Sequence, residues 1–267
     1  MRELAGMTIG ITAERRAEEF AAALERHGAT VWHAPALRIV PLPDDERLRE
    51  ATEDVLARPV AFTAVTTGAG FRGWAEAAEG WGLRDRLVAA LGGSRIFARG
   101  PKACGAVRGA GLREEYSSPA ETNAELFGEL AEAGVDGARV AVQLHGSPLP
   151  EHTSALRAAG ADVVEVQPYR WRDPAEPERV FDLVDGVLDG RVRALAFTSA
   201  PAAVNFLNLA RAHGRYEELV GALRAGPVTC ACVGAVTAAP LADLGVPTVQ
   251  PDRQRLGALV KLLVALP

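Results

Sequence analysis

Short apolar and β-branched runs alternate with Ala-, Leu-, Arg- and Glu-rich stretches along almost the whole chain. Thr8–Thr12 reads as a strand, Arg15–His27 as a helix and Ala29–Trp32 as a strand again. The same rhythm returns at Val60–Thr66, Arg95–Ala98, Arg139–Leu144, Asp162–Val166, Arg193–Thr198 and Val228–Val233. Strands separated by helices of about 10 to 15 residues imply parallel sheets with helices on both faces. Gly28 and Gly160 each follow a helical run and precede a strand, the usual place of a helix-terminating glycine. The pattern predicts an α/β fold.

Repetition refines this picture. Leu24-Glu-Arg-His-Gly-Ala-Thr-Val matches Leu156-Arg-Ala-Ala-Gly-Ala-Asp-Val, and Val65-Thr-Thr-Gly matches Phe197-Thr-Ser-Ala, both 132 positions on. Gly100-Pro-Lys-Ala and Gly111-Leu match Gly234-Ala-Val-Thr and Gly245-Val, 134 positions on. Three blocks in order at a nearly constant offset predict two similar lobes. Proline-bearing acidic segments, Pro41-Leu-Pro-Asp-Asp and Asp173-Pro-Ala-Glu-Pro-Glu, are suited to leaving a sheet, since proline fixes φ and lacks a donor. Were both simple boundaries, the first domain would have only about 40 residues, too few for an α/β core. The expected arrangement is therefore discontinuous. Residues 1–40 join 173–267 in one domain, 43–170 form an inserted second domain, and two strand-like connectors cross between them with the active site in the cleft.

Composition narrows the function classes. The chain has 267 residues, 48% hydrophobic and 24% charged, so disorder is not expected. A net charge of −5 disfavours nucleic-acid binding through these residues. Leu87–Leu91 and Leu259–Leu266, the longest apolar runs, fall far below the roughly 18 residues of a membrane span. The N-terminus leads straight into a strand-like segment without a signal-peptide pattern, and three cysteines show neither a disulfide framework nor metal-ligand spacing. Cytoplasmic location, no membrane, no metal and a monomer are the expectations.

Five segments carry a family resemblance. They are Ala196-Phe-Thr-Ser-Ala-Pro-Ala-Ala-Val-Asn-Phe, Cys232-Val-Gly-Ala-Val-Thr-Ala-Ala-Pro-Leu, Gly160-Ala-Asp-Val-Val-Glu-Val-Gln-Pro-Tyr-Arg, Ala98-Arg-Gly-Pro-Lys-Ala and Thr66-Thr-Gly-Ala-Gly-Phe-Arg-Gly-Trp. Taken in their order along the chain, from Thr66 to Cys232, and covering nearly the whole of it, they resemble the uroporphyrinogen-III synthase family. The local wording is similar to actinobacterial members, in which a response-regulator-like winged-helix DNA-binding module can follow the synthase. No such module lies within these residues, and it would begin beyond Pro267. The resemblance implies cyclisation of hydroxymethylbilane, a linear tetrapyrrole with eight carboxylates, to uroporphyrinogen III. Ring D is inverted through a spiro intermediate, in tetrapyrrole (heme, siroheme, cobalamin) biosynthesis, and no cofactor is expected. A rival class is a non-catalytic two-lobed binding protein, or the sensor domain of a transcriptional regulator.

An acidic protein acting on a polyanion needs local donors. Thr12, Thr66, Thr67, Thr198, Ser199, Gly100 and Gly234 fall between predicted strands and helices, at the carboxyl edge of a parallel sheet, where ligands bind in open α/β folds. Helix N-termini there offer unsatisfied N–H groups to anions. Capping and turn formation account for any one of these residues; the set along one edge favours ligand contact. Arg99 and Lys102 are candidate cations for the acetate and propionate groups, or else solvated surface charges, and Arg15 beside Arg16 is read the same way. His145 ends a predicted strand and is a candidate contact or a structural histidine. Thr237 matches a family position. Ala103 stands where the family often has a hydroxyl in the first half, and Ala235 where it often has proline.

Tyr169 matches the family's implicated tyrosine. A phenol with an ordinary pKa near 10 is protonated at neutral pH and can donate to a departing hydroxyl, although a tyrosine packing the hinge is the alternative. Cys104, Cys230 and Cys232 have no base placed nearby and read as buried small hydrophobes.

Overall fold

A computed structural model describes residues 3–265 of the chain. It begins with β1 (Thr8–Ile11), α1 (Ala17–Arg26), β2 (Thr30–His33) and β3 (Arg38–Pro41). There follow α2 (Glu46–Ala57), β4 (Phe62–Val65), α3 (Gly68–Gly80), α4 (Arg84–Gly92), β5 (Arg95–Ala98), α5 (Pro101–Gly109), β6 (Tyr116–Ser117) and α6 (Asn123–Glu132). Next come β7 (Arg139–Gln143), α7 (Pro150–Ala158), β8 (Asp162–Val166) and β9 (Tyr169–Arg172). The chain closes with α8 (Glu178–Leu188), β10 (Ala194–Phe197), α9 (Ala200–Ala212), α10 (Tyr216–Arg224), β11 (Thr229–Cys232), α11 (Ala235–Ala242), β12 (Thr248–Val249) and α12 (Leu256–Val264).

The chain divides into two compact units. The first takes the residues up to Arg38 with those from Arg172 onward, and the second is Ile39–Trp171. The first holds a five-stranded sheet in the order β12-β11-β10-β1-β2, and the second one in the order β6-β5-β4-β7-β8. All neighbouring strands in both sheets run parallel. The short strands β3 and β9 pair with each other where the chain passes from one unit to the other.

The repeated blocks fall on equivalent elements in an exchanged way. Leu24–Val31 spans the end of α1 and the start of β2, and its match spans α7 and β8 in the other unit. Val65 ends β4 and Phe197 ends β10; Gly100 follows β5 and Gly234 follows β11. Each sequence half thus gives two strands to one sheet and three to the other.

Alternation fixes the layers of the second unit. Phe62, Ala64, Phe97, Val140 and Val142 face Leu126, Phe127, Leu130 and Leu156 of α6 and α7. The intervening Val65, Ile96, Ala98 and Ala141 face Leu48, Phe71, Trp74, Leu87 and Val107 of α2 to α5. Residues two apart on a strand share a face, so one strand sequence serves two cores. The buried Trp74 indole N–H donates to the Thr52 hydroxyl at 2.9 Å, and that hydroxyl donates to Leu48 O at 2.7 Å, so no polar atom of the pair is orphaned. In the first unit Ile9, Ile11, Ala194, Ala196 and Ala231 pack on Phe20 and Leu24 of α1 and Leu259 and Leu263 of α12.

The first helix starts later than its apolar pattern predicts, at Ala17, because Arg16 is left-handed with φ 57°. Gly28 and Gly160 carry φ of 96° and 90°, the left-handed geometry in which glycine avoids a Cβ clash. The three cysteines are buried and unpaired, and burial pushes the Cys230 and Cys232 thiols up to about 12. Among the described residues no helix is long and apolar enough to cross a membrane.

Candidate functional site

In the second unit four loops leave the carboxyl ends of β4, β5, β7 and β8 at one sheet edge, and they carry most of the candidate residues. After β4, Thr66 and Thr67 lead into α3. Thr66 is buried, and its hydroxyl donates to Gln143 O at 2.8 Å, so it ties two strand ends together. Thr67 is extended and its hydroxyl accepts from Gly70 N at 3.1 Å, capping α3. Such a cap is typically worth about 1 kcal/mol.

The same Thr67 hydroxyl lies 3.3 Å from the Tyr169 phenol. Tyr169 is buried at the start of β9. After β5, Arg99 is half-buried and Gly100 precedes α5, whose first residue is Pro101. A Cβ on Gly100 would come within 3.0 Å of Glu121 Cγ, a tight fit that the glutamate side chain would have to yield to by a few tenths of an ångström. A Cβ on Gly68 would sit 2.1 Å from Lys102 O, which shows how tightly the N-termini of α3 and α5 abut. Two helix starts therefore present their first turns side by side, a favourable setting for an anion. Lys102 itself is exposed on the first turn of α5.

Electrostatics at this edge are dominated by Arg99. Burial lowers its pKa, opposed by the attraction of Tyr169 and Glu121. It donates to Asn123 Oδ1 at 3.5 Å, and among the described ion pairs it has no carboxylate partner. His145, after β7, stacks on Trp171 with ring centroids 4.7 Å apart. Burial, then the Arg99 charge and then His152, lower its pKa to about 4, so the imidazole is neutral at physiological pH. Ser147 N donates to His145 Nδ1 at 3.3 Å, which puts any ring proton on Nε2.

The carboxyl edge of the first unit repeats the theme with fewer charges. Ser199 caps α9, accepting from Ala202 N at 3.4 Å, and Thr198 is half-buried beside it. Gly234 opens α11, where a Cβ would meet Gln254 Cδ at 2.6 Å, the counterpart of the Gly100–Glu121 approach. Thr237 lies inside α11 and is buried, with its N–H donating to Gly234 O at 3.0 Å. Thr12 is fully buried beyond β1, with a hydroxyl that has no hydrogen-bond partner among the described residues. Arg15 is exposed in the loop before α1.

Thr66, Thr67, Arg99, Gly100, Lys102, His145 and Tyr169 therefore share one sheet edge; Thr12, Arg15, Thr198, Ser199, Gly234 and Thr237 share the equivalent edge of the other unit. Thr12, Thr66 and Thr237 are too enclosed to offer surface hydroxyls. Sequence reasoning missed Gln143 and Trp171. Both left a signal: Gln143 is polar within the apolar run Val140–Leu144, and Trp171 shares a strand face with Tyr169 two residues away.

Residues 18–261 match the family model of uroporphyrinogen-III synthase HemD. A Bacillus subtilis protein of uncharacterised function, YjjA, is 28% identical over 263 residues, spanning 96% of this chain and 94% of its own length. A mutant uroporphyrinogen III synthase from the extreme thermophile Thermus thermophilus, solved as the selenomethionine derivative, is 30% identical with a TM-score of 0.78. The match covers 96% of this chain and 97% of that one. The wild-type Thermus enzyme in a second crystal form matches with 30% identity and a TM-score of 0.65, over 97% of this chain and 96% of that one. A family match over most of the chain and a shared two-sheet architecture agree: the chain belongs to the uroporphyrinogen-III synthase family.

Proposed function

We propose that this chain is an active uroporphyrinogen-III synthase, converting hydroxymethylbilane to uroporphyrinogen III with inversion of ring D. The observation that carries the reading is the grouping at the second unit's carboxyl edge: a buried phenol 3.3 Å from the Thr67 hydroxyl, electrostatically coupled to the half-buried Arg99. In this reading Tyr169 protonates the departing hydroxyl of the substrate. The C–O bond breaks, water leaves, and an electrophilic azafulvenium cation forms, its charge balanced by the phenolate. The phenolate produced is stabilised by the Arg99 charge, and it regains a proton when the closed ring D loses one on rearomatising. Closure passes through the spiro intermediate.

The remaining work is positioning. A flexible linear tetrapyrrole loses much conformational freedom on reaching the spiro geometry, and holding it there beforehand contributes several kcal/mol to the rate. Each unit's carboxyl edge offers donors suited to carboxylates: the first turns of α3 and α5 with Arg99 and Lys102 in the second, and those of α9 and α11 with Arg15 in the first. His145 is neutral and, with Trp171, offers a flat aromatic face suited to a pyrrole. No observation favours the rival sensor-domain reading. Freshly prepared hydroxymethylbilane incubated with the protein and resolved by isomer provides the test. Type III product formed faster than spontaneous closure is expected; type I alone, at the spontaneous rate, overturns the proposal.

A further inference from the structure

Gln143 is fully buried at the end of β7, and its carboxamide is oriented without ambiguity. Oε1 accepts from Thr67 N at 3.1 Å, while Nε2 donates to Leu144 O and, at 3.5 Å, to Thr67 Oγ1. Reversing the amide would set its N–H₂ against the Thr67 N–H and its oxygen against the Leu144 carbonyl, so the orientation shown is the one that satisfies all partners. The close fit is built into the sequence. A Cβ at position 70 would lie 2.0 Å from Gln143 Nε2, so glycine there is what admits the carboxamide.

This arrangement biases the direction of the contact at the phenol. A hydroxyl has two acceptor lone pairs and one proton. Both lone pairs of Thr67 Oγ1 are engaged, one by Gly70 N at 3.1 Å and the other by Gln143 Nε2. Either hydroxyl could donate in the 3.3 Å contact between Thr67 Oγ1 and Tyr169; the second, weaker donor from Gln143 at 3.5 Å favours use of the threonine's proton, with the phenol oxygen accepting. With that polarity Thr67 does not take up the Tyr169 proton, and it supplies a donor to the oxygen on which charge develops when that proton leaves. We propose that Gln143 is a positioning residue for the cyclisation: by filling the second lone pair of Thr67 it biases the polarity of the Thr67–Tyr169 pair, so that the phenol is kept as a donor toward substrate. Gln143 touches neither phenol nor substrate in this scheme and acts through Thr67 alone. The inference rests on the reading of Tyr169 as the proton donor.

A double-mutant cycle of Gln143→Met with Tyr169→Phe tests it, with kcat and KM measured on hydroxymethylbilane and melting followed for each protein. Methionine matches the glutamine in length and removes both the donor and the acceptor. The expected result is kcat lower by about threefold to tenfold with KM within about twofold of wild type, and a double variant no slower than Tyr169→Phe alone. Gln143→Glu keeps an acceptor for Thr67 N and replaces the amide donor with an oxygen; it carries the same expectation at neutral pH should Gln143→Met fail to fold. Unchanged kcat in the Gln143 variants beside a slow Tyr169→Phe overturns this inference and leaves the donor reading standing. An equal fall in kcat on adding Gln143→Met to Tyr169→Phe also overturns it, since the glutamine would then act on the fold. Full turnover by Tyr169→Phe instead removes the donor reading itself, and the inference with it.

Discussion

Arg99 stands apart from arginines such as Arg16, Arg95 and Arg215, which are held by Glu19, Glu115 and Glu218. Its guanidinium is half-buried, within the attraction of the Tyr169 phenol and the Glu121 carboxylate but hydrogen-bonded only to the Asn123 amide oxygen among the described contacts, which leaves donors for an anion. Lys102 is exposed and screened. Lys102→Ala is expected to raise KM by up to roughly tenfold with kcat little changed, because a carboxylate clamp binds ground and transition states similarly, whereas Arg99→Ala should lower kcat as well, since the developing phenolate loses its charge partner. Unaltered KM would assign both charges to structure and solvent. His145 gives a second test, in stability. Its folded pKa of about 4 lies below the ordinary 6.5, so the unfolded chain binds the proton more readily. The contribution of this group is fully present above 6.5 and lost as pH falls from there toward 4, by up to about 3 kcal/mol. Denaturation at pH 7.5 and pH 5 should show this acid-side loss, and His145→Asn should shrink it; an identical pH dependence in the variant would contradict the burial argument.

Elements at the site are placed by small residues that let helix starts approach. Gly68 and Gly105 make a matched pair on adjoining helices. A methyl at Gly68 would collide with the Lys102 carbonyl at 2.1 Å, while one at Gly105 meets nothing within 4 Å. Gly68→Ala is therefore expected to destabilise by about 2 kcal/mol or more, and Gly105→Ala to stabilise α5 by up to about 1 kcal/mol. Thermal melts of the two variants check both signs. The strands and their parallel pairing were legible in the sequence because apolar alternation with Ala-rich helices is a strong local signal. So was the repeat, since Gly28 and Gly160, or Gly100 and Gly234, meet the same backbone demand twice. β6 and β12 were not legible, being two residues each and held by one neighbour strand. The start of α1 was misplaced because the left-handed Arg16 is a tertiary choice that no propensity encodes. At the site, Thr67, Arg99 and Tyr169 stood out by type and position. Gln143 did not, because its role depends on Thr67 and Gly70, 76 and 73 positions away in sequence.

At the scale of the whole molecule, the sequence repeat and the folded units divide the chain differently. A cut at the repeat would leave β1 and β2 of one sheet with β4, β5 and β6 of the other, and neither sheet complete. A fragment of residues 39–171 keeps five strands and both helical layers of one unit. It is expected to melt cooperatively when expressed alone, whereas residues 1–132 should not; calorimetry of the two fragments decides it. That second unit also holds Tyr169, Thr67, Arg99 and His145, so the proposed proton transfer draws on residues of one unit. The most direct test of the account is a side-by-side reaction of the wild-type protein and Tyr169→Phe with hydroxymethylbilane, scored for rate and isomer. The account predicts type III product from both, with turnover in the variant lower by roughly tenfold to a hundredfold, since only the phenolic proton is lost and the substrate is still held. Equal turnover in the two proteins, or type I product alone from the wild type, would contradict it.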